Sequence, residues 1–565
     1  MEDTVYDPLE RYKSVYRDEF LKSAKEAFEK LADEAKIDKE ANKVLCAQIA
    51  FSSETRDEIS ASLSRYSVFR IVCWVIAIAL FLAWMIAPEY PMTQIGLLLF
   101  PVAVCVNLFL FNKKIDTLRD ELENLDEEIR QKKEEAWKQM APLNDLFDWD
   151  IPAKLIEKTV PRIHFDGYFT ESRVGELVED FGYDGSLNDN ASVLFSQSGE
   201  INGNPFVVAN MKTFEMGTKT YTGYKTIHWT ETVTGLDGKR HRVVRSQTLS
   251  ASITKPCPFY GKRSFVLYGN DAAPNLTFSR KPSGLVEDGF LQNFRRRQKL
   301  RKLEKFSRNL KDESQYTLMG NRDFETLFET TDRNDEVEYR LLFTALAQRQ
   351  MLSLIREKTD AYGDDFSFFK LRKINVVVPG HLNDFDMDTN PERFVRYSFE
   401  ESRSNFIRIN QEYFRSVYFS LAPLLCIPLY QQIRTRKEIY KDAPRRSSFW
   451  EWESIANFYG VETFRHPECV TDCILKTEEE SNQGKSSRIA VTAYGFSGSG
   501  RVEYVPVWGG DGRIHNVPVP WIEYEPVSRT SSIAIEESAG AQTPTKPEFQ
   551  ADKIRRGIFS SLLQN

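Results

Sequence analysis

The chain has 565 residues and a mass of 65.4 kDa, enough for about three to four domains of typical size. Hydrophobic residues make up 41% and charged residues 28%, which excludes a wholly disordered chain and a polytopic membrane protein. The formal net charge of -7 excludes a uniformly basic nucleic-acid-binding protein. The 7 cysteines are an odd number, and Cys73, Cys105 and Cys426 lie in apolar runs, so no disulfide framework is predicted.

Two long apolar segments lie close together near the N-terminus. Ile71–Ala87 contains no charged residue, and Met92–Phe111 has few polar interruptions. Each segment is long enough to cross a hydrocarbon layer of about 30 Å, and the short Pro88–Pro91 segment between them fits a tight turn. The sequence therefore predicts an antiparallel transmembrane hairpin over residues 66–111, with a buried helical hairpin of a soluble protein as the alternative.

Basic residues flank the two apolar segments on their outer sides. Arg65 and Arg70 precede the first segment, Lys113 and Lys114 follow the second, and the turn contains no Lys or Arg. The positive-inside rule then predicts both termini in the cytoplasm, with the chain held in the plasma membrane. The acidic start MEDTVYDPLE lacks the features of a signal peptide.

Helical periodicity continues on both sides of the predicted hairpin. Residues 1–65 are predicted to hold two helices with a break near Lys36–Lys39. In residues 112–141 an apolar residue recurs every three or four positions, which predicts a coiled-coil-like stalk, at Ile115, Leu118, Leu122, Leu125 and Ile129. Its partner is either this chain's own N-terminal helix pair or a second copy in a homo-oligomer.

The remaining chain is predicted to be an α+β module in the cytosol. Residues 142–285 form a first antiparallel β-rich domain, and 286–484 a mixed region. Residues 485–530 form a second β-rich segment, and 531–565 a flexible tail with a short helix at Ile554–Leu563. Short strands are predicted at Ala191–Ser196, Pro205–Met211, Thr248–Ile253, Arg263–Tyr268 and Leu371–Val378, and helices at Glu171–Phe181 and Asn405–Ser420.

One nonapeptide pattern occurs twice. Gly235–Val243 and Gly509–Val517 share an Asp-Gly pair and a histidine at matching positions. Asp-Gly between two β runs predicts a hairpin turn. The two segments are either independent hairpins with similar turn chemistry or parts of a duplicated β module.

Catalytic signatures are absent from the sequence. The chain has no phosphate-binding P-loop, HExxH, GxSxG or kinase motif. Gly495–Gly500 is predicted to be a hairpin loop because a strand-like run follows it. Histidines of the β-rich regions are the candidate general acids or bases of an enzyme, at His164, His228, His241 and His515. Ordinary surface histidines are the alternative.

His466, Cys469 and Cys473 are the candidate metal ligands. Their spacing supplies three of the four ligands that structural zinc needs, and a fourth would have to come from His381 or His515. Ordinary reduced thiols are the alternative, and no cofactor is predicted.

A basic amphipathic helix is predicted over Phe294–Lys311. Its candidate contacts with a partner are the cationic residues Arg295, Arg296, Arg297, Lys299, Arg301, Lys302, Lys305 and Arg308. The pattern fits anionic lipid headgroups of the bilayer or an acidic protein face, and it favours nucleic acid less. A further apolar run, Val417–Tyr430, is interrupted by Pro423 and Pro428, so it is predicted to be a core element, with a membrane-dipping segment within 413–433 as the alternative.

Several segments resemble an uncharacterised family of bacterial membrane proteins, known only as a domain of unknown function. The similarity lies within residues 65–360, at Gly199–Ile201, Ala209–Thr213, Thr248–Val266, Asp323–Phe328 and Asp335–Leu342. The resemblance implies a bacterial inner-membrane location and no known catalytic residue. The sequence thus predicts a membrane-anchored binding or scaffold protein, with a membrane-tethered enzyme, such as a hydrolase, as the alternative.

Overall fold

The computed structural model describes residues 6–86, 101, 109, 111–234, 239–287, 289–308, 316–435, 437, 440, 445–483, 486–538 and 550–563. The chain divides into two compact units. The first unit comprises residues 1–20, 149–389 and 411–565, and the second comprises residues 21–148 and 390–410. Helices and antiparallel sheets are both abundant, which confirms the predicted α+β class.

The helices of the described chain, in order, are α1 Pro8–Arg11, α2 Arg17–Glu34, α3 Lys39–Ile86, α4 Asn112–Asn144, α5 Ile151–Thr159, α6 Glu171–Glu179, α7 Phe290–Ser307, α8 Arg322–Phe328, α9 Glu336–Leu342, α10 Ala345–Arg356, α11 Phe399–Leu425, α12 Phe449–Tyr459 and α13 Val461–Phe464. A π-helical turn, Tyr12–Tyr16, joins α1 to α2. The break between α2 and α3, the helix at α6 and the helix at α11 confirm the corresponding predictions.

The strands, in order, are β1 Ile163–Phe165, β2 Ala191–Ile201, β3 Asn204–Thr234, β4 Arg240–Gly269, β5 Thr277–Arg280, β6 Phe366–Leu371, β7 Ile374–Pro379, β8 Ile474–Gln483, β9 Ser486–Trp508, β10 Ile514–Glu537, β11 Lys553–Arg555 and β12 Ile558–Leu563. They form a seven-stranded sheet in the order β1-β2-β3-β4-β7-β6-β5 and a five-stranded sheet in the order β11-β12-β10-β9-β8. Each pairing is antiparallel.

In the second unit, α3 and α4 lie side by side. Arg56 Nε is 3.0 Å from Asp126 Oδ1, and Ala136 is buried with Leu45 and Ile49. The predicted stalk positions face inward, and Ile115, Leu118 and Ile129 are buried. The stalk sequence therefore packs on this chain's own N-terminal helix, which was one of the two predicted partners.

Helix α3 continues without interruption from the N-terminal region into the first apolar segment. Within the described residues it is the one helix long and apolar enough to cross a membrane. Its apolar window is not buried, and Val75 and Met85 are 60% and 61% exposed. The core helix of a soluble protein would instead bury such residues. The predicted turn Pro88–Pro91 and most of Met92–Phe111 lie outside the described residues.

The first unit is centred on the seven-stranded sheet. Its core contains Trp450 of α12, which packs on Phe169 and Phe265. Alternate residues of β2, β3, β4 and β7 point into this core because successive side chains of a strand face opposite sides. A second core cluster joins α12 to β8, β9 and β10 of the five-stranded sheet. Helix α12 thus lies between the two sheets and binds them together.

Two hairpins extend far beyond the sheets to which they belong. Phe214–Thr234 of β3 and Arg240–Tyr260 of β4 pair with each other over a length of about 70 Å. The predicted short strands Thr248–Ile253 and Arg263–Tyr268 are wrong as separate elements because both belong to β4. The predicted loop Gly495–Gly500 is also wrong, since it lies inside β9 and pairs with β10.

Smaller differences concern two other segments. The single strand predicted at Leu371–Val378 is a hairpin of β6 and β7, because Arg372 adopts a positive φ of 57° at its turn. The helix predicted at Ile554–Leu563 is wrong: these residues form β11 and β12, and β12 pairs with the end of β10. The described end of the predicted flexible tail is therefore part of a sheet.

The apolar run Val417–Tyr430 is buried within the first unit, as predicted for a core element. Val417, Leu421 and Tyr430 are each at most 1% exposed. The run completes α11 and continues into a short 3-10 turn, Pro428–Gln431.

Candidate functional site

The predicted basic segment forms helix α7, and one of its faces is attached to the protein. Leu303 is buried, and Lys299 Nζ lies 2.5 Å from Glu329 Oε2. Arg296 donates hydrogen bonds to the carbonyl oxygens of Leu285 and Val286 at 2.5 and 2.6 Å. Two of the eight predicted cationic contacts therefore hold the helix in place.

The other six cationic residues of α7 and its C-cap are exposed: Arg295, Arg297, Arg301, Lys302, Lys305 and Arg308. They are concentrated within fourteen residues that contain a single acidic residue, Glu304. This density of positive charge attracts an anionic surface, and the attraction is screened by salt.

The first turn of α7 adds exposed apolar side chains to this basic face. Phe290, Leu291 and Phe294 are 87%, 65% and 61% exposed. Phe290 and Phe294 are four residues apart and so share one face of the helix. The helical pattern of residues 288–311 includes Phe290 and Leu291, which precede the predicted basic segment Phe294–Lys311. A basic helix with exposed aromatic residues is typical of segments that bind at membrane interfaces.

The four candidate catalytic histidines lie on different strands. His164 is in β1 opposite Glu200, and His228 is in β3 opposite Ser246. His241 lies near the start of β4, and His515 Nε2 is 3.0 Å from Asp511 Oδ1 beside the turn between β9 and β10. None of them lines the cavity of about 540 Å³ at the base of the two long hairpins. A shared acid/base centre of these histidines thus stays a prediction.

Cys469 and Cys473 come together in the loop between α13 and β8. Their Sγ atoms are 3.4 Å apart, and both residues are buried. His466 Nδ1 instead accepts a hydrogen bond from the Glu468 N–H at 3.2 Å. In the described part of the chain, no group of three His, Cys, Asp or Glu residues is arranged to hold a metal ion.

The two thiols differ in acidity. Burial opposes ionisation of Cys469, but hydrogen bonds with Thr471 and Cys473 outweigh it and lower the pKa of this thiol. Burial and the neighbouring Cys469 raise the pKa of Cys473 to about 12. Because the thiolate is the nucleophile, Cys469 is the more reactive of the two sulfurs.

His381, considered above as a distant zinc ligand, is already engaged through both ring nitrogens. Nδ1 lies 3.0 Å from Asp365 Oδ2, and Nε2 lies 3.1 Å from the carbonyl oxygen of Ser416. The ring of Tyr362 stacks on the imidazole at 3.7 Å. These contacts explain the histidine as a packed structural residue.

A cavity of about 540 Å³ opens beside the cysteine loop, at the base of the two long hairpins. Its walls include Phe214, Tyr260 and Phe496, and the rings of Phe214 and Phe496 stack with centroids 5.4 Å apart. Thr471 Oγ1 accepts the Phe496 N–H at 3.0 Å and contacts the Tyr260 hydroxyl at 3.2 Å. The cysteine loop thus supports the aromatic wall of this ribbon-base cavity.

The two long hairpins pack face to face into a double ribbon. We call β3–β4 the first ribbon and β9–β10 the second ribbon. Between them lies a small core in which Ile227 and Leu249 of the first ribbon meet Val517 and Val519 of the second. Gly510 N–H donates to Gln247 Oε1 at 2.7 Å, which fixes the turn of the second ribbon on the first. The second Asp-Gly segment, with Asp511 and Gly512, therefore lies at the end of a packed hairpin, and residues 235–238 of the first segment are outside the described residues.

The outward sides of the two ribbons differ in chemistry. The first ribbon exposes a hydroxyl face, with cross-strand pairs such as Thr222 and Ser252 at 2.9 Å. This hydroxyl face consists of Thr218, Thr220, Thr222, Tyr224, Thr226, His228, Thr230, Ser246, Thr248, Ser250, Ser252 and Thr254, with Val244. The second ribbon exposes a mostly apolar face, the apolar face, which consists of Val502, Tyr504, Pro506, Trp508, Ile514, Pro518, Pro520 and Ile522 with one polar residue, Asn516.

The apolar face was missed because each strand-like run was taken as a short element. The period-two alternation in VEYVPVW and IHNVPVPWI is the signal that could have revealed it. No family model, curated protein or solved structure matches this chain.

Proposed function

We propose that this chain is a membrane-anchored binding protein whose α+β module docks on anionic lipid through helix α7. The observation that carries the proposal is the exposed face of α7, where six cationic residues adjoin Phe290, Leu291 and Phe294. A protein tethered by an apolar helix such as α3 meets a bilayer at high local concentration, so weak surface contacts suffice.

The proposed anchor is a hairpin over residues 66–111 with both termini in the cytoplasm. The basic residues beside both apolar segments and the lack of Lys or Arg between them support this orientation. The family resemblance adds the inner membrane of a bacterium as the proposed setting. This topology puts α7 in the cytoplasm, on the side of the membrane whose anionic lipids attract basic residues, at about 1 kcal/mol per nearby Lys or Arg.

Limited trypsin digestion of the full chain in nanodiscs tests the lipid contact. We expect cleavage within Arg295–Lys305 to be several-fold slower in nanodiscs containing anionic phosphatidylglycerol than in zwitterionic phosphatidylcholine nanodiscs. High salt should remove the difference because it screens the charges. Equal cleavage in the two lipids would contradict the proposal, and slow cleavage in both would point to a protein face as the partner of α7.

A charge-matched pair of variants makes the digestion specific. The triple variant Arg297→Gln, Arg301→Gln, Lys305→Gln removes three exposed charges from α7, and Lys25→Gln, Lys30→Gln, Lys43→Gln removes three exposed charges elsewhere. With Arg295, Lys302 and Arg308 as reporter cleavage sites, the first triple should lose most of the lipid-dependent protection. The second triple should keep it.

Cysteine labelling tests the topology in intact cells. A cysteine at Glu89 should react with an impermeant maleimide added outside, and a cysteine at Gln550 should react only after permeabilisation. The unmodified chain reports labelling of the native cysteines. Labelling of the Gln550 position from outside, with none at Glu89, would overturn the proposed orientation.

A further inference from the structure

The double ribbon presents two outward sides, and only one of them is suited to water. The hydroxyl face carries Thr and Ser, which combine strand propensity with hydration. On the apolar face, Tyr504, Trp508 and Ile514 are 66%, 67% and 61% exposed. The largest exposed apolar patch of a monomeric protein is often functional.

Prolines interrupt the strand edges of the second ribbon. Pro506 lies on β9, and Pro518 and Pro520 lie on β10, each paired across the ribbon. A proline within a paired strand has no N–H and occupies positions whose N–H would point away from the partner strand. These residues remove three of the outward donors that a third strand would use, which disfavours strand addition here and leaves the face as the larger contact surface.

The size and chemistry of the apolar face decide what covers it. From Gly500 to Trp508 the ribbon is about 30 Å long and about 10 Å wide, an area of about 300 Å². A stable protein interface buries about 800 Å² on each partner, so this face is too small to hold a second copy alone. It contains no charged residue, and Trp and Tyr favour the boundary between lipid and water.

We propose that the apolar face of the second ribbon lies in the interfacial layer of the bilayer in which the chain is anchored. This inference rests on the proposed membrane anchoring, but it concerns a surface separate from α7. Insertion needs no shape complementarity, which suits a flat ribbon, and the hydroxyl face on the opposite side of the double ribbon stays in water. The double ribbon thus behaves as the β-sheet counterpart of an amphipathic interfacial helix.

Fluorescence quenching on the full chain in anionic nanodiscs tests this position. A cysteine replaces Trp508 and, in a second variant, Tyr504; both positions are exposed and tolerate a label. The matched control is Thr222→Cys on the hydroxyl face, and Gln298→Cys on α7 reports the proposed docking helix. Each variant carries an NBD label, and the labelled unmodified chain supplies the background.

We expect spin-labelled lipid to quench the labels at Trp508→Cys and Tyr504→Cys several-fold more than the label at Thr222→Cys. Iodide in the water should show the opposite order. One outcome overturns the inference alone: the labels at Trp508→Cys and Tyr504→Cys are as accessible to iodide as the label at Thr222→Cys. If the Gln298→Cys label is shielded in the same experiment, the proposed function stands. If the Gln298→Cys label is also open, both fall.

A second copy of the chain gives a different pattern and also overturns the inference. The labels on the apolar face, at Trp508→Cys and Tyr504→Cys, would then be shielded from iodide without being quenched by spin-labelled lipid. Dilution to one chain per nanodisc would expose them again.

Discussion

Gly223 of the first ribbon lies against the backbone of Pro518 in the second, so closely that a Cβ atom on the glycine would be 2.0 Å from the Pro518 carbonyl oxygen. This close approach lets Ile227 and Leu249 reach Val517 and Val519. Since no side chain fits at that distance, the packing of the two ribbons depends on glycine at this position.

Gly223→Ala should therefore loosen the double ribbon. We expect amide hydrogens of β9 and β10 between Val505 and Val519 to exchange at least tenfold faster, because overpacking costs about 1 to 3 kcal/mol. Hydrogen exchange with mass spectrometry measures this. Gly500→Ala is the matched control, since a Cβ there meets nothing within 4 Å. Equal exchange in the two variants would contradict the packing argument.

The C-terminal strands are fixed by a buried ion pair. Arg556 Nη1 lies 3.2 Å from Glu451 Oε1, and both side chains are 1% exposed. Arg556→Met leaves the Glu451 carboxylate buried without its partner, which should lower the free energy of unfolding by about 3 to 5 kcal/mol. Urea denaturation of the chain in detergent, followed by tryptophan fluorescence, measures the loss.

An exposed ion pair supplies the comparison for that experiment. Arg501 Nε lies 2.7 Å from Glu523 Oε2, with side chains 58% and 37% exposed. Arg501→Met should cost no more than about 1 kcal/mol because water screens the pair. A loss of similar size in both variants would show that the buried pair does not anchor the C-terminal strands.

The Gly223–Pro518 contact and the Arg556–Glu451 ion pair show which parts of the fold sequence patterns predict and which they do not. Periodicity located α6, α11, the N-terminal helices and the basic helix, because one side of each element packs on its neighbours. It predicted a short helix at the C-terminus, where Arg555 and Arg556 are in fact buried in a β-hairpin. Their burial depends on partners such as Glu451, about one hundred residues away in the chain.

The length of the ribbons was not predicted either, because it also depends on contacts between residues that are distant in the sequence. Residues 214–234 contain many Thr and Lys and few aliphatic residues, so only the ends of β3 resemble a buried strand. Cross-strand hydroxyl pairs and the contact with the second ribbon supply the stabilisation that local hydrophobicity does not. The first turn of α7 lies in the predicted helical stretch 288–311, but the basic segment was defined by its charges from Phe294 on, so Phe290 and Leu291 were not included in the predicted binding surface.

Lys370 predicts a pH dependence of stability. Its ammonium is buried and donates to the carbonyl oxygens of Ala272 and Arg372 at 3.1 and 2.6 Å. Burial lowers its pKa to about 7, against partial compensation by Glu338. Above that pH the unfolded chain binds one more proton than the folded chain, so stability from this residue rises with pH.

Between pH 7.5 and 9 the rise should be about 2 kcal/mol, at about 1.4 kcal/mol per pH unit. Urea denaturation at several pH values gives the slope. Lys370→Met should abolish this contribution, whatever its effect on absolute stability, whereas Lys358→Met, at an exposed lysine, should keep it. A slope unchanged by Lys370→Met would show that the lysine does not carry the effect.

The cysteine loop predicts an order of chemical reactivity. The pKa of Cys469 is lowered by hydrogen bonds with Thr471 and Cys473 that outweigh burial, while the pKa of Cys473 is raised to about 12. Because the thiolate is the nucleophile, iodoacetamide at pH 7.5 should alkylate Cys469 at least tenfold faster than Cys473. Peptide mass spectrometry at timed intervals measures both rates.

Thr471→Val tests the cause of that order. The variant removes the hydroxyl 3.7 Å from Cys469 Sγ, so the pKa of Cys469 should rise and its alkylation should slow several-fold. Thr463→Val removes a hydroxyl that donates to the Tyr459 carbonyl oxygen at the end of α12, not to either thiol, and should leave the rate unchanged. Faster alkylation of Cys473 than of Cys469, in either the unmodified chain or the control, would refute the assignment of Cys469 as the reactive thiol.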